Sequence, residues 1–117
     1  MINDLQIKKM NERPFKDCFF NDVYNIVSQI PFGKVLTYGH IAELMGYPNH
    51  SRMVGRALRE VPEHLHLPCH RVVNANGRIA PNWPEQAQLL QVEGVTLRTH
   101  ADGTICVNLR QHLWTLE

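Results

Sequence analysis

Cys69 and His70 stand side by side in the segment LPCHRVVNANGR, and no other pair in the chain is so well suited to nucleophilic chemistry. A thiolate attacks carbon, and an imidazole takes up a proton near neutral pH. The bland alternative is real: an isolated cysteine is usually a small buried hydrophobe. Neighbouring side chains in extended chain also point apart, so adjacency implies no direct thiol–imidazole pair. A metal site is a rival reading, because His64, His66, Cys69 and His70 crowd into one stretch. A tetrahedral zinc site normally draws on two separated ligand pairs, and adjacent Cys69 and His70 cannot easily reach one ion. No metal and no other cofactor is therefore expected. The second candidate cluster is cationic. HSRMVGRALRE carries Arg52, Arg56 and Arg59 against Glu60 alone, a grouping that can neutralise phosphates or simply face solvent.

The elements that must hold these residues can be read from spacing. Phe20, Val23, Tyr24, Val27 and Ile30 recur at helical intervals, which predicts an amphipathic helix from Asp17 to Pro31. Residues 1–16 are expected to be a flexible arm, closed near Pro14, and 17–117 one domain. Thr37 is a candidate N-cap for a helix whose stripe is Ile41, Leu44 and Met45, with Gly46 as terminator and Pro48 beyond. Ser51 is expected to cap a second short helix that turns Val54, Ala57 and Leu58 inward. Two short helices joined by a tight turn form a helix-turn-helix candidate. Val72–Val73 and Ile79 flank Asn74–Gly77 as a short hairpin, and residues 95–98 and 104–109 form a second hairpin or wing. Pro84 opens a helix to Glu93 with Leu89, Leu90 and Val92 as its apolar side, Gly94 ends it, and Trp114 packs the tail back. The expected fold is mainly α with small β, a winged helix-turn-helix-like DNA-binding domain with short hairpins.

The bulk numbers exclude other classes. The chain has 117 residues, 44% hydrophobic and 20% charged, which suits one compact globular domain. Its apolar runs are far too short for a membrane span, and the start carries no apolar signal region. Three cysteines, Cys18, Cys69 and Cys106, fall at unrelated spacings, so reduced thiols and a cytoplasmic setting are expected. The expected place is the nucleoid in a bacterium or the nucleus in a eukaryote. The net charge of +1 is uninformative about nucleic acid.

Four blocks, IPFGKVLTYGHIAELMGYP, SRMVGRALRE, LPCHRVVNANGR and LLQVEGV, together resemble the active-site domain of the O6-alkylguanine-DNA alkyltransferase family. They come in the family's order and cover roughly residues 18–95. The resemblance implies that Cys69 attacks the alkyl carbon on guanine O6. It implies that His70 takes the thiol proton through a water and that Glu93 orients His70. Glu93 also sits at a helix C-terminus, where an acid is unfavourable with the dipole; that too suggests a functional reason. Tyr38 is implied as the proton donor to the departing guanine and as a backbone contact. Because the alkylated atom lies in the base stack, the nucleotide must be rotated out. Arg52 is implied to fill the vacated space, Gly55 to let the helix lie close, and Arg59 and Arg71 to join the DNA contacts. Cys69, Val72 and Trp83 are then the lesion pocket. The implied groove is the minor one, whose degenerate base pattern costs a sequence-blind scanner little.

The chain also departs from the repair enzymes. The segment RIAPNWPEQAQ lacks their glycine-rich closing loop, Val61 stands near where they carry a bracing Asn, and Met53 is bulkier than their usual residue. These features resemble the alkyltransferase-like proteins, which bind alkylated guanine, usually lack the cysteine, and flag lesions for nucleotide excision repair. The combined expectation is single-turnover alkyl transfer to Cys69. The alternative is a lesion sensor that hands O6-alkylguanine to excision-repair proteins. The expected partner is double-stranded DNA carrying O6-alkylguanine, with no membrane contact and a monomeric protein. A sequence-specific transcription factor is the remaining rival, but nothing in the chain looks like a dimerisation helix.

Overall fold

The computed structural model describes residues 3–115, and for residues 5–14 the backbone alone. Helix α1 runs Asp4–Ser28. It therefore starts well before Asp17, and the expected boundary between residues 16 and 17 falls inside it. Pro14, expected to close an arm, lies within this helix. A proline removes its own N–H bond but leaves the following turns intact. Next to it Phe15 meets Phe19 (6.1 Å between ring centres) and, edge-on, Tyr47 (5.6 Å), contacts that tie this turn to the body. Phe20, Val23 and Val27 are buried as the helical spacing requires, and so is Ile30 just past the helix end.

Strand β1 (Leu36–Thr37) leads into α2 (Tyr38–Leu44). Thr37 caps α2, its hydroxyl accepting from the His40 N–H at 3.0 Å, and Gly46 at φ +82° stops it. Ile41 is buried, but Leu44 is exposed. The inner face of α2 is completed by Ala42 instead. Helix α3 spans Ser51–Arg59. Its cap position is His50, with no side-chain bond, and Ser51 is already helical, so the expected serine cap is not used. Val54 and Ala57 face the core, with Leu58 and Met53 partly buried against it. The α2–α3 pair is the helix-turn-helix.

Strand β2 (Val72–Val73) pairs in parallel with β1, Leu36 opposite Val72 and Thr37 opposite Val73. The expected local hairpin with Ile79 is therefore replaced by a long-range partner. The Asn74–Gly77 turn does form (Gly77 N–H to Asn74 O, 2.9 Å), but it sends the chain to the wing, where Ile79 N–H meets Ile105 O. Gly77 is required there: its φ is +82°, and a Cβ would lie 2.5 Å from the Val107 carbonyl oxygen. The wing itself is β3 (Leu97–Thr99) antiparallel to β4 (Ile105–Val107).

Consecutive strand residues face opposite ways, and this divides the interior. Leu36 and Val72 belong to the core under α1, α2 and α3, whereas Val35 and Val73 belong to a second core with Ile79, Leu90, Val95 and Val107. Helix α4 (Glu85–Val92) lies on the second core. Its buried face is Gln86 and Leu90; Leu89 is exposed and Val92 is 80% exposed, so the expected Leu89–Leu90–Val92 side is rotated. Gly94 at φ +79° ends the helix. A short α5 (Leu109–His112), not anticipated, buries His112. The Thr96 N–H donates to His112 Nε2 (2.9 Å), which places the ring proton on Nδ1, 3.2 Å from the Gly33 carbonyl oxygen. Trp114 packs on the first core and its backbone N–H donates to Val35 O at 2.9 Å. Among the described residues, no helix is long and apolar enough to cross a membrane.

Candidate active site and nucleic-acid interface

Pro68 sets the nucleophile's position. Its φ of −77° and ψ of 61° form an inverse γ-turn, closed by the Cys69 N–H on Leu67 O at 2.8 Å. Cys69–Arg71 then make a single 3-10 turn before β2. The turn separates the three side chains that a straight segment would have alternated. Cys69 faces a cleft of about 780 Å³, whose walls include Tyr38, Arg52, Gly55 and Arg59 on one side and Ala80–Trp83 on the other. That volume suits a small-molecule or base-sized guest. Ser51, Leu58 and Gln86 complete the lining.

His70 and Arg71 turn the other way, onto Glu93. His70 Nε2 lies 2.5 Å from Glu93 Oε2. Arg71 holds the same carboxylate in a fork, Nε to Oε1 at 2.9 Å and Nη2 to Oε2 at 2.9 Å, and its Nη1 donates to Ile30 O at 2.7 Å. The Gly33 N–H adds a bond to Oε1 at 2.9 Å. Burial alone would raise the Glu93 carboxyl. The Arg71 fork, the Gly33 N–H and His70 overcome it and hold the group at about 2. An ionised Glu93 makes Nε2 the protonated ring nitrogen and leaves Nδ1 as the basic one. The sequence expectation for Glu93 as orienter of His70 thus has its geometry. Arg71, expected among the DNA contacts, is instead held on Glu93 and Ile30 O and does not line the Cys69 cleft; leaving a nearly buried carboxylate unpaired would be costly.

Val72 was expected to offer its backbone to the lesion pocket; its side chain lies in the core, its N–H donates to Cys69 O and its carbonyl accepts from Gln86 Nε2 at 3.1 Å. Of the three α3 arginines, Arg56 pairs with Glu60 at 2.8 Å on the exposed side, while Arg52 and Arg59 border the cleft. His64, His66, Cys69 and His70 do not gather: among the described residues no group of three or more His, Cys, Asp or Glu is placed to hold a metal ion.

Sequence reasoning missed Gln86. It is 1% exposed, and its amide donates to His70 O and Val72 O, both at 3.1 Å, while accepting from Ala80 N–H at 2.6 Å. The available signal was its place one helical turn before Leu90, on the same face.

Two acidities bear on the chemistry. Burial pushes the Tyr38 hydroxyl up, with Arg59 opposing and Cys69 adding to the rise; Tyr38 stays protonated and can donate. Burial likewise pushes the Cys69 thiol up, against a smaller opposing backbone hydrogen bond. A raised thiol means less thiolate at neutral pH. Without DNA, carbamidomethylation of Cys69 by iodoacetamide, read by site-resolved mass spectrometry, should be slower at pH 7 than for a cysteine in an unstructured peptide. Its rise with pH should lie at higher pH than the peptide's. A profile displaced to lower pH would show the thiol already activated in the free protein.

Residues 18–95 match the family model described as 6-O-methylguanine DNA methyltransferase, DNA binding domain. Alkyltransferase-like protein 1 of Schizosaccharomyces pombe is 37% identical over 103 residues, covering 84% of this chain and 95% of that protein. A methylated-DNA–protein-cysteine methyltransferase of Methanosarcina acetivorans is 40% identical over 79 residues, 65% of this chain but only 51% of the enzyme. The structure of S. pombe Atl1 in complex with damaged DNA containing O6-carboxymethylguanine superposes with a TM-score of 0.80 at 36% identity, covering 86% of this chain and 97% of that one. A thiol at the edge of a cleft under a helix-turn-helix, a forked glutamate behind its histidine and these likenesses agree: the chain belongs to the O6-methylguanine DNA methyltransferase family, of which residues 18–95 carry the DNA-binding domain.

Proposed function

We propose that this protein binds O6-alkylguanine in duplex DNA by rotating the nucleotide into the Cys69 cleft, and accepts the alkyl group on that sulfur. The observation that carries the reading is the cleft itself, which brings Cys69, Tyr38, Arg52, Arg59 and Trp83 to one base-sized space. The duplex lies against α2 and α3, Arg52 enters the gap left by the base, and Arg59 meets backbone phosphate. Trp83 offers a ring on the opposite wall. The Cys69 proton passes to His70 Nδ1 through a water, and the imidazolium is held by ionised Glu93. The sulfur forms its bond to the alkyl carbon as the carbon–O6 bond breaks. The guanine leaves with the electron pair and takes the Tyr38 proton, and the phenolate faces Arg59. The thioether product has no route back to thiol, so each molecule reacts once.

A second reading, lesion sensing without transfer and delivery to excision-repair proteins, is favoured by a specific observation. Burial pushes the Cys69 thiol up, which leaves less of the thiolate that transfer needs at neutral pH. The near full-length likeness to alkyltransferase-like protein 1 points the same way. Intact mass separates the two after incubation with a duplex carrying O6-methylguanine. Transfer adds one methyl group to the wild type and nothing to Cys69→Ala, with lesion binding kept in both. Tight lesion binding with no mass gain establishes the sensor. Equal affinity for damaged and undamaged duplex removes both readings.

A further inference from the structure

Gln86 ties the two walls of the cleft together. It sits on α4, 1% exposed, where an uncharged polar side chain is tolerated only when its hydrogen bonds are made. An amide carries two donor hydrogens and an acceptor oxygen, and here all are used. The Nε2 hydrogens go to His70 O and Val72 O, at 3.1 Å each. These carbonyls flank Arg71 at the exit of the nucleophile's turn. The turn's own bonds use Pro68 O and Cys69 O, so the His70 carbonyl has no helix ahead of it to supply a donor. The Oε1 atom accepts the Ala80 N–H at 2.6 Å, and Ala80 begins the Ala80–Trp83 wall opposite α3. One planar group a few bonds wide therefore spans from the turn that carries Cys69 to the segment that closes the cleft.

We propose that Gln86 is a positioning residue that sets the gap between the Cys69 sulfur and the Ala80–Trp83 wall, and through it the preference for an extruded alkylated base. This rests on the lesion-binding reading above. The amide is rigid and buried, so the gap is fixed before DNA arrives. Without the amide three backbone groups lose their partner at once, and both the turn and the wall relax.

The test uses Gln86→Met, close in shape with no hydrogen bonds, and Gln86→Glu, which keeps an acceptor for Ala80 N–H and loses both donors when ionised. Affinity is measured for matched duplexes with and without O6-methylguanine. The expected result is a fall of about tenfold or more in the lesion-to-undamaged ratio for both variants, with undamaged-duplex affinity unchanged because α3 and its arginines are untouched. Lowering the pH should restore part of the preference in Gln86→Glu alone, since the protonated acid regains one donor. Folded variants with the wild-type ratio overturn the proposal. A DNA-independent measurement separates its failure from that of the parent reading. Site-resolved alkylation of Cys69 by iodoacetamide and by bulkier N-phenylmaleimide should show a different small-to-bulky rate ratio in Gln86→Met than in wild type. An unchanged ratio overturns the proposal even if the wild type shows no lesion preference. Should neither variant fold, hydrogen exchange in the wild type decides. The Ala80 amide should be protected like the α4 core, and fast exchange would mean the clasp is open in solution.

Discussion

Arg71→Leu is expected to lower stability by about 3–5 kcal/mol, the usual cost of removing one partner of a buried ion pair. Glu93 is 6% exposed and Arg71 16%, so little water is on hand to replace the guanidinium. The loss is a large share of a small domain's total, and the melting temperature should fall by roughly 10–20 °C, at about 4 °C per kcal/mol. The pH dependence follows from the sign of the shift. Glu93 is held at about 2 against an ordinary 4.5, so its contribution is fully present above about 4.5 and disappears as pH falls through about 2. Two and a half units correspond to roughly 3 kcal/mol. Urea titrations of wild type and Arg71→Leu should therefore differ most near pH 7 and converge towards pH 2. A gap that persists at pH 2 would assign that part of the loss to contacts that do not titrate, the Nη1 bond to Ile30 O at 2.7 Å and packing where the guanidinium lies 5.8 Å from the Phe32 ring centre.

That ion pair marks a limit of what the sequence tells. Glu93 and His70 could be paired from the family resemblance, and their contact is present. Arg71 was placed among the DNA contacts by the same resemblance. Nothing local reveals that a buried glutamate claims it first across 22 positions. The legible parts share one property, that their cause is local. Thr37 caps α2 through a residue three places on, Gly46 and Gly94 take the left-handed backbone that ends a helix, and the wing turns within a few residues. The misread parts depend on distant partners. Val72 and Val73 pair with Leu36 and Thr37 rather than with the chain beyond their own turn. Helix α4 shows its Gln86–Leu90 face inward because backbone carbonyls of another segment need donors, which no hydrophobicity pattern records. Pro14 marked an end that was not there, since aromatic contacts to Tyr47 keep the adjoining turn in place.

Arg52→Ala should reduce affinity for an O6-methylguanine duplex by about ten- to a hundredfold while leaving undamaged-duplex binding within a few fold. Extruding a base costs a few kcal/mol of stacking and pairing, and a side chain in the vacated space recovers part of it. Arg52 is exposed at the first turn of α3 and at the rim of the Cys69 cleft, so it can enter the stack while the nucleotide enters the cleft. Arg59, at the far end of the same helix and close enough to Tyr38 to influence its hydroxyl, has the opposite profile. As a phosphate contact, its replacement by Ala should weaken damaged and undamaged duplex alike and reduce the logarithmic salt dependence by about one unit. The Arg52 loss should instead leave the salt dependence of undamaged-duplex binding nearly as it was. Arg52→Lys should recover only part of the lost affinity, because a flexible ammonium keeps the charge without the planar surface that stacks between bases. Fluorescence of 2-aminopurine placed at the target position reads extrusion directly, and it should rise with wild type and Arg59→Ala at saturating protein but not with Arg52→Ala. If instead the two arginine variants prove interchangeable, with equal losses on both duplexes and equal salt slopes, then α3 is holding the backbone only and extrusion is driven from elsewhere in the cleft.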